Sequence, residues 1–230
     1  MKTIGLIGGM SWESTSLYYS AINQGVKNSL GGLHSAKICL YSVDFHQIEK
    51  LQHQGRWRQT AHILAKAAQA VEAGGADVFL ICTNTMHKVA EEIQVAVNIP
   101  MIHIADATAR VLLANGMTKV GLLGTAFTMQ EDFYKGRLSQ EFGLEVVVPN
   151  AEQQVMVHEV IYQELCLGEI NLDSKQKYVD VIQDLYNQGA QAVILGCTEI
   201  TLLVQQKDTP VPLYDTTAIH AQSAVAAALG

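Results

Sequence analysis

Only four cysteines occur in 230 residues, Cys39, Cys82, Cys166 and Cys197, and no two of them form a C-x-x-C pair. This scarcity and spacing argue against a disulfide framework or a zinc site and point to a cytoplasmic protein. Charge is sparse as well. Only 16% of residues are Asp, Glu, Lys or Arg, the formal net charge is -7, and Lys and Arg form no run. Such a chain lacks the electrostatic footprint needed to bind nucleic acid or an anionic membrane surface. No apolar stretch is long enough to span a bilayer, and "MKTIGLIGGMSWES" lacks the cleavage pattern of a signal peptide. His34, His46, His53, His62, His103 and His158 show no spacing typical of a metal site. The G-x-G-x-x-G signature is missing too: the glycines of "GLIGGM" do not match it, and Asp44 comes too late for a dinucleotide fingerprint. That turn fits the approach of backbone N–H groups to a small carboxylate better.

Apolar residues are plentiful. At 49% hydrophobic, the chain can bury a substantial core. "KTIGLIGG", "AKICLYSV", "ADVFLIC", "KVGLLGT", "LEVVV" and "AVILGC" are nearly continuous apolar runs, the pattern of strands covered on both faces. Stretches of helical period lie between them. One runs from Trp12 to Leu30, with Leu17, Tyr18, Ala21, Ile22 and Val26 expected on its buried face. Gly74-Gly75, Gly116 and Gly189 read as helix stops, and Pro100 and Pro210 as preceding short strands. The pattern predicts an α/β protein with parallel sheets.

The sequence also repeats. "TIGLIGGM" overlays "KVGLLGTA", with Gly5 on Gly121. "GADVFLICTNT" overlays "GAQAVILGCTE", with Gly75 on Gly189. Two matches in the same order at nearly the same offset indicate two copies of one α/β unit. In the second match Cys82 falls on Gly196, a strand-end packing position, while Thr83 falls on Cys197. In open α/β sheets ligands bind past the carboxyl ends of the strands, which is where "TNT" and "CTE" lie. Two groups on opposite faces of one ligand suit inversion of a carbon centre: one removes the α-proton and the other delivers a proton to the far side. A thiolate suits abstraction. A threonine hydroxyl at best donates or relays a proton.

The runs "GLIGGMSWEST", "TNTMH", "GTAFTM", "GCTEI" and "LYDTTAIHA" resemble the aspartate/glutamate racemase family over essentially the whole chain, in family order. The resemblance is closest to the atypical branch described as specific for L-aspartate and L-glutamate. Where the family at large reads C-N-T-x-H, this chain has T-N-T-M-H. The resemblance implies a racemase without cofactor or metal, built as two pseudo-symmetric α/β domains with the active site in the cleft between them. It assigns Cys197 as base toward an L-amino acid and Thr83 to the opposite face. Asn84, Thr85 and Thr198 match carboxylate-binding positions, and Met10, Thr125 and Thr128 match others lining the cleft. Gln52 is the expected anchor for the substrate's second carboxylate. The expected division is 1–98 plus 208–230 against 99–207, and the expected assembly is a homodimer.

Competing explanations stand beside these. Thr83 could be a helix N-cap, and Cys197 a buried strand-end thiol. His87 fits packing inside the following turn, and His220 fits either core packing or support of the site. Asp106 and Asp215 read as N-caps, and Cys39 and Cys166 as core. Two other functions are compatible with a single thiol or none: an aryl- or alkylmalonate decarboxylase, and a non-catalytic two-lobed binder of small acidic ligands.

Overall fold

The computed structural model describes residues 1–230. The chain forms two compact units, Met1–Ile104 with Thr217–Gly230, and Ala105–Thr216. The first contains β1 (Ile4–Gly8), α1 (Trp12–Leu30), β2 (Ile38–Ser42), α2 (Phe45–His53), α3 (Trp57–Ala73), β3 (Val78–Ile81), a 3-10 turn over Thr85–Val89 and α4 (Ala90–Gln94). The second contains α5 (Ile104–Ala114), β4 (Lys119–Gly124), α6 (Ala126–Gln130), α7 (Asp132–Phe142), β5 (Glu145–Val147), α8 (Ala151–Gln163), α9 (Leu172–Asn187), β6 (Ala192–Gly196), α10 (Ile200–Leu203) and β7 (Leu213–Asp215). The last helix, α11 (Thr216–Leu229), belongs mostly to the first unit. These limits differ from the 98/99 and 207/208 divisions read from the sequence. The reason at the second one is local: β7 pairs with β6, so the chain leaves the second unit only after that strand.

Every strand pair is parallel, in the orders β2-β1-β3 and β5-β4-β6-β7. This is the mixed α/β architecture that the alternation of apolar runs and helical periods implies. The duplication is visible in the register. Ile4 pairs with Val78 in the first sheet and Val120 with Ala192 in the second, which are the same positions once the two halves are overlaid. The glycines agree with it. A Cβ on Gly5 would lie 2.9 Å from Val71 Cγ2 and 3.1 Å from Phe79 Cβ, and one on Gly121 would lie 3.0 Å from both Leu185 Cδ1 and Val193 Cγ2. In each unit a helix therefore packs directly on the backbone of the central strand, and only glycine leaves room for it. Gly75 and Gly189, which end α3 and α9, both take positive φ (87° and 95°), a conformation that glycine adopts without a Cβ clash.

Three sequence expectations need correction. β2 is not covered on both faces: Leu40 and Tyr41 are 46% and 44% exposed, because β2 is an edge strand with one neighbour. α1 does not bury Leu17 or Ala21. Its buried face is Ser14, Thr15, Tyr18, Ile22 and Val26, a stripe at i, i+4, i+8 that leaves Leu17 to one side. The short strand expected after Pro100 shrinks to a single bridge between Phe79 and Met101. Its counterpart in the second unit, after Pro212, is the full strand β7.

The first sheet is packed on both faces. α3 contributes Leu64, Ala67, Ala68 and Val71 to one core cluster. α1 and α11 contribute Tyr18, Ile22, Val26, Ala221, Ala224 and Val225 to the other. Fully burying one large aliphatic side chain is worth roughly 1.5–3 kcal/mol, so these clusters fix where the strands end and hold the turns beyond them.

Candidate active site

The carboxyl end of β3 runs into Cys82-Thr83-Asn84-Thr85. Cys82 extends the ladder, its N–H donating to Ile7 O at 2.9 Å. Its side chain is fully buried, and burial pushes the thiol far above its ordinary range, so it packs as an apolar group. The chain then bends, and the Thr83 N–H donates back to Ile81 O at 2.8 Å. Thr83 is half-buried, whereas Asn84, Thr85, Met86 and His87 are all buried. Asn84, not Thr83, holds the cap position of the following turn, and no side-chain cap bond is made there. Capping therefore does not account for Thr83.

A buried polar network holds this turn from below. Ser14 Oγ donates to Cys82 O at 3.1 Å. His87 Nδ1–H donates to Thr83 O at 2.8 Å, while its Nε2 accepts from the Ile104 N–H at 3.3 Å. These partners fix one neutral tautomer. His220 follows the same logic with the nitrogens exchanged. Its Nε2–H donates to Ile102 O at 2.6 Å, and its Nδ1 accepts from the Tyr18 hydroxyl at 2.8 Å. Burial in the first place, and the neighbouring His87 in the second, lower its pKa to about 3. The His87 ring lies 4.5 Å from that of His103 and 5.8 Å from that of His220, in edge-on contact. His87 thus supports the Thr83 turn directly, and His220 lies behind it, in ring contact with His87.

Other residues singled out in the first unit gather around the same strand ends. Met10 follows β1, the neighbour of β3, and is buried in the α3-side core. Gln52 is buried in α2, its Nε2 donating to Met86 Sδ at 2.9 Å. The polar end of Gln52 is thereby placed against the "TNTMH" turn.

In the second unit the equivalent strand exit carries Cys197-Thr198-Glu199. Cys197 is 8% exposed. Its Sγ–H donates to Glu199 Oε2 at 3.0 Å, and the Thr198 hydroxyl donates to the same oxygen at 2.6 Å. Burial, then the Glu199 carboxylate, hold the thiol well above its usual range. The neighbouring strand β4 ends at Gly124, which pairs with Gly196. Beyond it Thr125 caps α6, accepting from the Thr128 N–H at 3.4 Å, and the two hydroxyls lie 3.3 Å apart. Thr128 is fully buried. Its side chain lies over the two glycines, where a Cβ on Gly124 or Gly196 would come within 3.0 or 3.3 Å of it.

The residues singled out by sequence thus form two groups. Met10, Gln52, Thr83, Asn84 and Thr85 lie in the first unit; Thr125, Thr128, Cys197 and Thr198 lie in the second. Of the two candidate caps, Asp215 directly precedes α11. Asp106 instead sits inside the first turn of α5, paired in fork geometry with Arg137, whose Nη2 donates to Oδ2 at 3.0 Å. Glu199 was not among the sequence candidates. Its signal was present, an acid two residues past a strand-end cysteine and opposite Thr85 in the repeat, but spacing alone does not reveal that its side chain folds back onto the sulfur.

A duplicated parallel α/β scaffold with matched polar strand exits, one carrying a thiol on a carboxylate, has the equipment of a proton-moving enzyme. Residues 7–224 match the family model described as Asp/Glu/Hydantoin racemase, and the chain belongs to that family; it is an isomerase of the racemase class. It is similar to the broad-specificity amino-acid racemase RacX of Bacillus subtilis (strain 168), with 26% identity over 234 residues and 96% of each chain covered. Its fold superposes on a crystal structure from Yersinia pestis, provisionally described as an Asp/Glu racemase, with a TM-score of 0.94, 55% identity and full coverage of both chains. It also superposes on the aspartate racemase homologue from Pyrococcus horikoshii OT3, with a TM-score of 0.86, 37% identity and full coverage of both.

Proposed function

We propose that the protein racemises free amino acids at Cα without a cofactor, acting on L-aspartate and L-glutamate. Cys197 removes the α-proton of the L-enantiomer, and Thr83 serves the opposite face as proton donor or relay. The observation that carries this reading is the register. Thr83 and Cys197 occupy the same place in the two copies of the unit, one residue past the buried strand end marked by Cys82 in one copy and Gly196 in the other. Membership of the racemase family and the likeness to a broad-specificity amino-acid racemase support the reaction type.

In this reading the thiol gives up its proton and the sulfur then takes the α-hydrogen, leaving the electron pair on a carbanion conjugated with the substrate carboxylate. A proton delivered to the other face completes inversion. Asn84, Thr85 and the backbone N–H of Thr198 bind the α-carboxylate, Met10, Thr125 and Thr128 shape the site, and Gln52 meets the second carboxylate. A hydroxyl is a poor acid at neutral pH, and loss of a competent acid/base group costs a factor of about 10²–10⁴ in rate. Turnover from the D-enantiomer is therefore the slow direction, while the equilibrium between enantiomers is unchanged. The family resemblance also supports a cytoplasmic homodimer.

Incubation with L-aspartate or L-glutamate in heavy water tests the reading. Deuterium should enter Cα and D-enantiomer should accumulate, and Cys197→Ala should abolish both. An active Cys197→Ala protein would refute the role given to the sulfur. Binding of either amino acid without exchange would leave a binding protein only.

A further inference from the structure

A thiol that burial keeps protonated cannot act as a base until something takes its proton. Around Cys197 the structure offers one close acceptor. Glu199 lies two residues on, is itself buried, and receives the Sγ–H at 3.0 Å. The same Oε2 also accepts the Thr198 hydroxyl at 2.6 Å, so the carboxylate is aimed at the sulfur by an independent contact. The other titratable groups around the sulfur are Cys166, from the short turn Leu165–Leu167, and Tyr178 of α9. Cys166 is a thiol packed against the same core cluster. The Tyr178 hydroxyl donates to Val157 O at 2.8 Å, so it is engaged elsewhere.

We propose that Glu199 is the proton acceptor that generates the Cys197 thiolate, the two side chains sharing one proton that passes between Sγ and Oε2. The inference rests on the reading of Cys197 as the L-face base. The S–H bond breaks, an O–H bond forms on Oε2, and the electron pair stays on sulfur. The thiolate then takes the α-proton, forming a new S–H bond and leaving the pair on Cα. The extra proton leaves the Cys197–Glu199 pair for solvent, while solvent resupplies the donor on the opposite face, so protons balance over a turnover. Glu199 acts through the sulfur and does not touch the substrate. Thr198 steadies the carboxylate that receives the proton.

The proposal has a consequence that a purely structural Glu199 would not produce. With an internal acceptor, thiolate formation does not depend on hydroxide, so the rate of α-proton exchange stays flat between about pH 6.5 and 9. In Glu199→Gln, an isosteric change, the thiol has to ionise into solvent. Exchange with L-aspartate or L-glutamate should fall about 10²–10⁴-fold at pH 7 and regain about tenfold per pH unit on the alkaline side. Glu199→Asp keeps a carboxylate and should recover at least tenfold over Glu199→Gln. A second readout needs no turnover: alkylation of Cys197 by iodoacetamide, followed by mass spectrometry of its peptide. It should be independent of pH over the same range in the wild type and proportional to hydroxide in Glu199→Gln.

If wild type and Glu199→Gln exchange α-protons at equal rates at every pH, the proposal is overturned while the racemase reading stands. Hydroxide-proportional alkylation of the wild type overturns it as well, even if no variant folds. A wild type that exchanges no α-proton but shows flat alkylation, with Glu199→Gln steep, would sink the racemase reading and leave the shared proton intact.

Discussion

Replacing His220 by Gln probes the network beneath the Thr83 turn through its dependence on pH. In the folded protein the ring is buried, with both nitrogens engaged by Tyr18 and Ile102, and its pKa is lowered to about 3. In the unfolded chain the imidazole returns to about 6.5. Between these two values the unfolded state binds one proton more than the folded state. Stability from this residue is therefore complete above about pH 6.5 and is lost as the pH falls toward 3. Each pH unit in that window is worth about 1.4 kcal/mol, so moving from pH 7.5 to pH 4.5 removes on the order of 2–3 kcal/mol through this one side chain. Gln can still donate to Ile102 O but does not titrate. The variant should be less stable at pH 7.5, by about 1–3 kcal/mol for imperfectly replaced hydrogen bonds. It should then gain on the wild type by on the order of 2–3 kcal/mol at pH 4.5. Urea unfolding of both proteins at pH 7.5, 6.0 and 4.5 measures this directly, because acid titration elsewhere is common to the two. Parallel stability curves would refute the account of His220 as a buried neutral support.

Thr83→Cys should accelerate conversion of D-aspartate or D-glutamate to the L-form, by up to the factor of about 10²–10⁴ that a competent acid/base supplies; polarimetry from the D-side measures it, and no gain would remove Thr83 from the opposite face. Gly5→Ala places a methyl 2.9 Å from Val71 Cγ2 and 3.1 Å from Phe79 Cβ. Overpacking of this kind costs about 1–3 kcal/mol, so the urea midpoint should drop with the slope unchanged, and unaltered stability would show that α3 yields easily.

Much of the fold was legible because the repeat and the strand pattern are properties of one-dimensional spacing. The overlay of "GADVFLICTNT" on "GAQAVILGCTE" reappears as matched registers in the two sheets, and both helix-stop glycines take positive φ. What escaped the sequence depends on which neighbours an element finds. β2 is as apolar as its partners, yet it lies at an edge, and nothing in "AKICLYSV" marks it as lacking a second neighbour. In α1, Leu17 has the composition of a core residue, but Ser14, Thr15 and Tyr18 face inward because they have polar work there: Ser14 on Cys82 O and Tyr18 on His220. That Thr83 and Cys197 follow equivalent strands in the two units was legible from the register. The supports were not, since His87 and Glu199 act through side-chain conformations that bring them back onto Thr83 O and Cys197 Sγ, and a linear pattern does not encode rotamers.

The interruption of the first unit by the second has a temporal side. The second unit is contiguous, Ala105–Thr216, and its core cluster draws only on that stretch, so a growing chain can finish it without waiting for anything downstream. The first unit is begun earliest and completed last: α11 supplies one wall of the core over β1, and the Lys2 N–H donates to Ala228 O at 2.9 Å. Contacts so distant in sequence form slowly. On the ribosome, then, the half that carries the thiol can mature before the half that carries the alcohol is complete, and the first unit gains His220 only once α11 has followed β7.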